Sequence, residues 1–481
     1  MLRRKRRYLT QGVMSKMVLF RSLTILFICM TISVSAKAQD DFEALQRRLA
    51  EIEAAQAKAQ ATIEALSSEI EAMRGESKDD LLQEPKEAQK VEADLPPDAG
   101  TREKRPATSE SSSRLLFVQL TQEARFGLQS KDGAFSLDLD GIIAMRYEFN
   151  HRSDDGSGSS DNDSGFENTA TRINFRGKIF NDYGYWVRLQ ADEFGDDPRI
   201  DAALGLWFIN EDTILAAGQF PSVWTRSQGL PLDRLQTAES SPTNFVFDPF
   251  AYKGVILGYH TPRFVIRGLI HDGYRSVNNS AFDEASAKWG LGGQVLGLAV
   301  GVEEDWKRFD NFTSRPGGDF IWLLNGSFVV QEGDSHGNDD ASSDLFLGIV
   351  ESSMEGDGWN LYGAGYYRYT DQSGDGIKAD DFGFVLQGGT WVAKHFEVYS
   401  RFDMTIPDND RPTENENFKT VTTGASFYPI PRTDNIKFST EFLYMFDSEA
   451  DSIVEPNQFS SVRASPDGNQ WVIRAQAHIR W

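Results

Sequence analysis

The chain lacks most of what would make it a disulfide-stapled exported protein or a helical membrane protein. It has one cysteine, Cys29, in 481 residues. That rules out an intrachain disulfide and any thiolate metal site. Hydrophobic residues make up 40% of the sequence. Yet outside the N-terminus no uninterrupted apolar run reaches the roughly 18 residues that a membrane-spanning helix needs. Histidine is scarce: His151, His260, His271, His336, His395 and His478 are the full set. None has a recognisable catalytic neighbourhood, so an enzyme built into a barrel, such as a lipase or protease, is not expected. Neither are a catalytic residue, a cofactor or a resident metal. Basic residues are in deficit, 49 against 72 acidic ones, for a net charge of −23. Residues 1–113 hold equal numbers of each sign, so the whole excess belongs to 114–481. A surface of that sign argues against nucleic acid as a partner.

What is present is aromatic and patterned. Aromatics form 12% of the chain, with 33 Phe, 14 Tyr and 10 Trp among 41 Gly. That mixture favours strands and tight turns. The last eleven residues alternate. Trp471, Ile473, Ala475, Ala477, Ile479 and Trp481 are apolar or small, while Arg474, Gln476, His478 and Arg480 are polar. A period of two is a strand with one dry and one wet face. About ten such residues between aromatics suit a membrane-spanning barrel strand.

The same alternation recurs from Arg114 onward in about sixteen segments. Ile143, Met145, Tyr147 and Phe149 oppose Asp138, Asp140, Arg146 and Glu148. Ile173, Phe175 and Ile179 oppose Arg172, Asn174, Arg176 and Lys178. Val187 and Leu189 oppose Arg188 and Gln190, and Phe264 and Ile266 oppose Arg263 and Arg267. Later strands set Arg368, Arg401, Asp403, Glu397, Lys437 and Glu441 against tyrosines, phenylalanines and valines. Short turns such as Asn210-Glu211-Asp212 alternate with long acidic stretches at 153–164, 333–343, 370–381 and 407–417. Short turns at one rim and long loops at the other describe an outer-membrane barrel. The expected fold is therefore all-β, a transmembrane antiparallel barrel of about 16 strands over 114–481. Polar faces turned inward would make its lumen wet.

Three segments precede it. Residues 1–38 read as an export signal: a basic start at Arg3 to Arg7, an apolar core from Val18 to Val34, and Ala36-Lys37-Ala38 before Gln39. Within 40–74, Phe42, Leu45, Leu49, Ile52, Gln56, Ala59, Ile63, Leu66, Ile70 and Met73 fall at spacings of three and four. That is a heptad seam, expected to be a periplasmic coiled coil, with a single amphipathic helix as the plainer alternative. Residues 75–113, with Pro96-Pro97 and Ser111 to Ser113, read as a flexible linker.

Between Leu215 and Gly273 the wording is more specific. Leu215-Ala-Ala-Gly-Gln-Phe220, Leu235-Gln-Thr-Ala-Glu239, Gly254-Val-Ile-Leu-Gly-Tyr259 and His271-Asp272-Gly273 occur in that order. In order and spacing they resemble the phosphate-selective porin O and P family. The resemblance implies a sixteen-stranded barrel, usually a homotrimer in outer-membrane lipid, with a large loop folded into the lumen. That loop would run over 221–251 and carry Arg226, Asp233, Arg234 and Glu239. An outer loop capping the trimer is the alternative. The resemblance also implies diffusion of small hydrophilic or anionic solutes such as phosphate. The sequence departs from the family where basic residues often stand, with Pro221 and Ser240 at those places. A general or cation-tolerant porin, tethered to peptidoglycan through its coiled coil, therefore remains the competing reading. Candidate pore-lining cations are Arg146, Arg172, Arg176, Lys178, Arg188, Arg263, Arg267, Arg368, Arg401 and Arg474. Taken singly, each reads more readily as a structural strut paired with a neighbouring carboxylate than as a solute ligand. Asp371-Gln-Ser373-Gly-Asp375-Gly376 resembles the start of a calcium loop but has Phe382 where the bidentate glutamate would stand.

Overall fold

The structure is a computed structural model. It describes residues 126–153, 160–180, 182–191, 199–249, 251–274, 287–333, 343–372, 377–409, 411, 414–448, 451–454, 465 and 468–481. The chain divides into two units, 1–101 and 102–481. The signal, coiled-coil and linker segments expected at 1–38, 40–74 and 75–113 lie outside the described residues, as do the tips of most long acidic loops. Among the described residues no helix is long and apolar enough to cross a membrane.

Among the described residues seventeen strands follow in order: β1 (Phe126–Gln129), β2 (Ser136–Arg152), β3 (Asp161–Ile179), β4 (Tyr183–Ala191), β5 (Arg199–Phe208), β6 (Thr213–Pro221), β7 (Ala251–His260), β8 (Phe264–His271), β9 (Trp289–Val300), β10 (Ile321–Glu332), β11 (Asp344–Glu355), β12 (Trp359–Gln372), β13 (Ile377–Ala393), β14 (Phe396–Ile406), β15 (Phe418–Phe427), β16 (Ile436–Met445) and β17 (Gln470–Arg480). From β2 to β17 each strand pairs antiparallel with the next. β17 then pairs with β2, Trp471 opposite His151 through Arg480 opposite Ile142. The sheet is a closed sixteen-stranded antiparallel barrel. Closure leaves no long unpaired edge, which is what lets a sheet sit in lipid.

The short β1 lies on the same edge of β2 as β17. It pairs Phe126 with Leu139 and Gln129 with Ser136. Backbone bonds in both directions join Trp481 and Gly141 just above it. β17 and β1 thus line up end to end, two pieces of one wall position supplied by opposite ends of the barrel sequence.

The two faces of the wall are inverted relative to a soluble protein. Ile143, Met145, Tyr147, Val255, Leu257, Ile266, Val295, Phe384, Phe402, Phe438 and Ile473 are exposed, while the alternating Arg146, Glu148, Arg401, Asp403, Glu441 and Arg474 are buried. An apolar exterior is the lipid-facing surface of a membrane barrel. At the rim with short turns, Phe180, Tyr183, Trp207, Tyr259, Phe264, Phe320, Trp359, Phe396 and Phe427 ring the strand ends. Phe166, Trp289 and Phe446 stand near the other rim. Aromatic girdles at both ends mark the two membrane interfaces.

In two respects the structure corrects the sequence reading. First, the lumen wall is not polar all round. Trp186, Ala202, Leu204, Leu206, Ile214, Ala216, Ile256, Leu269, Val329, Leu347 and Ile349 are buried on the inward face and join one apolar cluster. The physical reason is the inserted loop described below, which needs a dry seat. Second, one connection on the short-turn rim is long. β9 ends at Val300 and β10 starts at Ile321, with a 3-10 helix at Glu303–Asp310 between them.

Candidate functional site

β6 and β7 stay paired until Pro221 meets Ala251, where the chain leaves the wall. Near this point Gly218 has φ of 133°, and a Cβ there would lie 2.1 Å from the Ala203 carbonyl oxygen. Only glycine fits that close approach. The stretch from 222 to 249 then lies inside the barrel. Val223, Trp224, Leu230, Leu232, Leu235, Val246 and Phe247 are all buried in the cluster that includes the apolar wall. Burying each large side chain contributes about 1.5–3 kcal/mol.

The loop's own fold comes from capped short helices. Helix α1 (Arg226–Gly229) starts at Thr225, whose side chain accepts from the Gln228 N–H. Helix α2 (Pro242–Phe247) starts at Ser241, which accepts from the Asn244 N–H, with proline in its first turn. Both are standard N-terminal devices. Ser222 donates to Asp248 at 2.9 Å and closes the base. Trp224 donates its indole N–H to Tyr252 Oη at 2.6 Å. The wall is flattened to receive the loop. A Cβ on Gly292 would lie 2.4 Å from Trp224, and one on Gly383 would lie 2.4 Å from Phe247.

The loop tip crosses to the opposite side of the barrel, where it meets charge. Arg146 on β2 donates to Glu239 Oε1 at 2.6 Å and also to Glu167 on β3. Arg474 on β17 binds Glu148 at 2.7 Å and Glu441 at 3.0 Å. Glu441 in turn accepts from the Ala238 N–H at 2.9 Å. Arg401 on β14 donates to Thr237 Oγ1 and to the Glu239 carbonyl, both at 2.8 Å, while pairing with Asp403. Lys437 donates to the Leu235 carbonyl at 2.7 Å. Gln236 donates to Glu397 at 2.7 Å. Cations and anions alternate around the tip, so each buried charge has a counter-charge or dipole.

The remaining expected residues fall in three places. Arg176 pairs with Asp140 and Arg188 with Asp201, the latter carboxylate delivered by a bulge in β5. With Arg172, Asn174, Asp233 and Arg480 these arginines line a small cavity. Lys178 stands over the Phe208 ring at 5.7 Å. Arg267 donates to Gln294 at 2.7 Å and Arg368 to Asp381 at 3.0 Å, both buried. Arg263 is exposed in the turn between β7 and β8, at the rim rather than on the wall. Of the loop charges, Asp233 accepts from Arg480 at 3.1 Å. Arg234 donates to the Asp310 carbonyl at 3.0 Å. Arg226 binds Glu355 at 2.6 Å.

Several contributors had no signal in an alternation pattern. Glu351 accepts from the Arg226 N–H, from Asn325 and from Tyr362, and Tyr366 donates to Asn244 in the loop. Asp434, in the turn between β15 and β16, meets Arg480 at 3.2 Å. Burial works to raise its carboxyl pKa, but Arg480 and Arg234 outweigh that and hold it below the usual carboxylate range. Burial and the nearby Glu397 push the Tyr428 hydroxyl well above its ordinary value. Among the described residues no group of three or more His, Cys, Asp or Glu could hold a metal ion.

No family model matches this sequence, and no characterised relative is found by sequence. Solved structures with similar folds exist. The outer-membrane protein OmpT of Vibrio cholerae is 12% identical, over 74% of this chain and 99% of that one, with a TM-score of 0.48. An anion-selective porin from Comamonas acidovorans is 10% identical, over 72% and 100%, with a TM-score of 0.49. The outer-membrane channel DcaP of Acinetobacter baumannii is 10% identical, over 73% and 99%, with a TM-score of 0.47. The barrel assignment itself stands on the strand pairing.

Proposed function

We propose that this chain is an outer-membrane porin through which small hydrophilic solutes and ions diffuse, with a preference for anions such as phosphate. The observation that carries the reading is one arrangement. A closed barrel is apolar outside and charged inside, and a long loop crosses its lumen from β6–β7 to β14–β17. Such a barrel spans lipid, and a loop across the lumen divides the bore into a constriction. Support for the anion preference comes from one cavity in the lumen, where Arg172, Arg176, Arg188 and Arg480 outnumber the lining carboxylates Asp140 and Asp233. Fixed positive charge in a narrow bore favours anions.

The opposing reading is a general or cation-tolerant porin. It is favoured by the carboxylates Glu148, Glu167, Glu239 and Glu441, which meet the arginines at the loop tip. Reconstitution into planar bilayers decides between them. The zero-current potential under a potassium chloride gradient should have the anion-selective sign, and added phosphate should compete with chloride current. A cation-selective sign would remove the anion preference and leave the porin.

A homotrimer with a periplasmic N-terminal helical segment belongs to the same proposal. Cross-linking of the full chain against a version lacking 40–113 tests the trimer. Binding of both versions to peptidoglycan sacculi tests the tether.

A further inference from the structure

The connection between β9 and β10 is out of place. Its neighbours on that rim are the turns at 261–263 and 356–358, whereas it occupies 301–320. Gly301 at its start and Gly317 near its end lie in the left-handed region, at φ of 132° and 95°. Between them the chain turns into the barrel. Phe309, Phe312 and Ser314 are buried.

Its partners show how far across it reaches. Trp306 donates to the Pro262 carbonyl at 3.1 Å, beside its own strands. Thr313 donates to Glu397 on β14 at 3.0 Å and Asn311 donates to Asp434 beyond β15. Glu397 opens β14 and Asp434 lies in the turn before β16, four to six strands away, so a segment rooted in β9 and β10 crosses the lumen at its short-turn end.

There it meets the loop that enters from the other rim. Arg226 donates to the carbonyls of Phe309 at 3.1 Å and Asn311 at 2.6 Å. Its guanidinium lies 4.4 Å from the Phe312 ring centroid and 5.0 Å from that of Phe309. Arg234 donates to the Asp310 carbonyl, and the Phe312 N–H donates back to the Arg234 carbonyl, both at 3.0 Å. Charge-assisted bonds and ring stacking in a buried setting are among the stronger polar contacts a fold can make.

We propose that residues 301–320 form a second constriction element, entering from the short-turn rim and fastened by Arg226 and Arg234 to the loop at 222–249, so that the two together set the conductance. This rests on the porin reading. It adds that the bore is narrowed from both ends, and that the loop's arginines serve the junction rather than the solute.

The test is single-channel recording of the full chain and of a variant lacking 303–316, in which Gly301-Val302 runs directly into Gly317-Gly318. Heat-modifiable gel mobility verifies that the variant barrel is closed. The expected result is a unit conductance larger by roughly twofold or more, because a lumen filled by chain is opened. Should the deletion not fold, Lys307→Cys serves instead. Lys307 is exposed and lines the cavity between the connection and the start of the loop. A charged methanethiosulfonate should cut its current markedly and leave the parent chain, with Cys29 replaced by serine, unchanged. An unaltered conductance in the folded deletion, or an unmodified current in Lys307→Cys, overturns the second constriction while the porin stands. A silent parent with a conducting deletion supports it. Silence in both overturns the porin reading and this inference together.

Discussion

Arg226 and Glu355 form an ion pair at 2.6 Å inside the barrel, with side-chain exposures of 6% and 1%. One partner belongs to the inserted loop and the other to the wall at the end of β11. Removing Glu355 leaves the Arg226 charge buried without its counter-ion, a loss of about 3–5 kcal/mol, whereas removing Arg226 leaves Glu355 with Arg308 at 3.9 Å. Arg226→Ala and Glu355→Ala should each lower the urea midpoint of the folded barrel. The double variant should lose less than their sum, by roughly 1–3 kcal/mol. Strict additivity in the cycle would show that the pair is not coupled.

The glycine seats make a steric prediction. Gly383→Val would drive carbon into Phe247, and Gly292→Val into Trp224, both at atoms held by packing rather than at flexible ends. Overpacking of this kind costs about 1–3 kcal/mol. The barrel should still close, but the loop should become a protease target between 222 and 249. Gly268→Val is the control, since a Cβ there meets nothing within 4 Å. Equal protease resistance in all three would place the loop's anchorage elsewhere.

Ion selectivity should follow position. Arg172 and Lys178 lie on β3, half-buried, whereas Arg263 is exposed in a turn at the rim. Arg172→Glu and Lys178→Glu should each shift the anion-to-cation permeability ratio toward cations by roughly two- to threefold. Arg263→Glu should move it less, because bulk salt screens a rim charge beyond ~8 Å. The zero-current potential in a salt gradient reads all three. A larger shift for Arg263→Glu than for the wall variants would reject β3 as part of the path.

Acid should loosen the turn that carries Asp434. Its carboxyl is held below the ordinary value of 3.8 in the folded protein. A lowered folded value means that its stabilising contribution is complete above the unfolded value and is lost as pH falls through the folded one. The melting temperature of the native chain should therefore drop more steeply below pH 4 than that of Asp434→Asn. Parallel curves for the two proteins would assign the acid sensitivity to other carboxylates.

The sequence was most legible where one face of a strand is polar. β2, β14, β16 and β17 alternate between exposed apolar and buried charged residues, and their inward sets include Arg146, Arg401, Glu441 and Arg474. It was least legible where the loop is seated. Leu204, Leu206, Ile214, Ala216 and Ile256 face inward yet are apolar, as are their outward neighbours, so the period of two disappears. The inward tyrosines Tyr362 and Tyr366 hide for the same reason: an aromatic reads as lipid-facing unless its partner is known. Residues 301–320 are polar enough to pass for an ordinary connection. Only their partners, Glu397, Asp434 and Arg226, show that they fold inward.

The end-to-end meeting of β17 and β1 has a kinetic consequence. The wall pairings from β2 through β17 join neighbours in sequence, so they can form as local hairpins. The exception is β17 on β2, which brings Trp471 to His151 across 320 residues of chain. Contacts that distant are slow to find, because the entropy of closing the intervening chain must be overcome first. Folding should therefore run as a spreading sheet with one late event, the zipping of β17 onto β2. The tip of the inserted loop waits on that same event, since Glu441 on β16 and Arg146 on β2 hold it and are brought near each other only when the ring is complete. Barrel closure and loop docking become one commitment step, and a chain that stalls before it exposes two strand edges and an undocked loop at once.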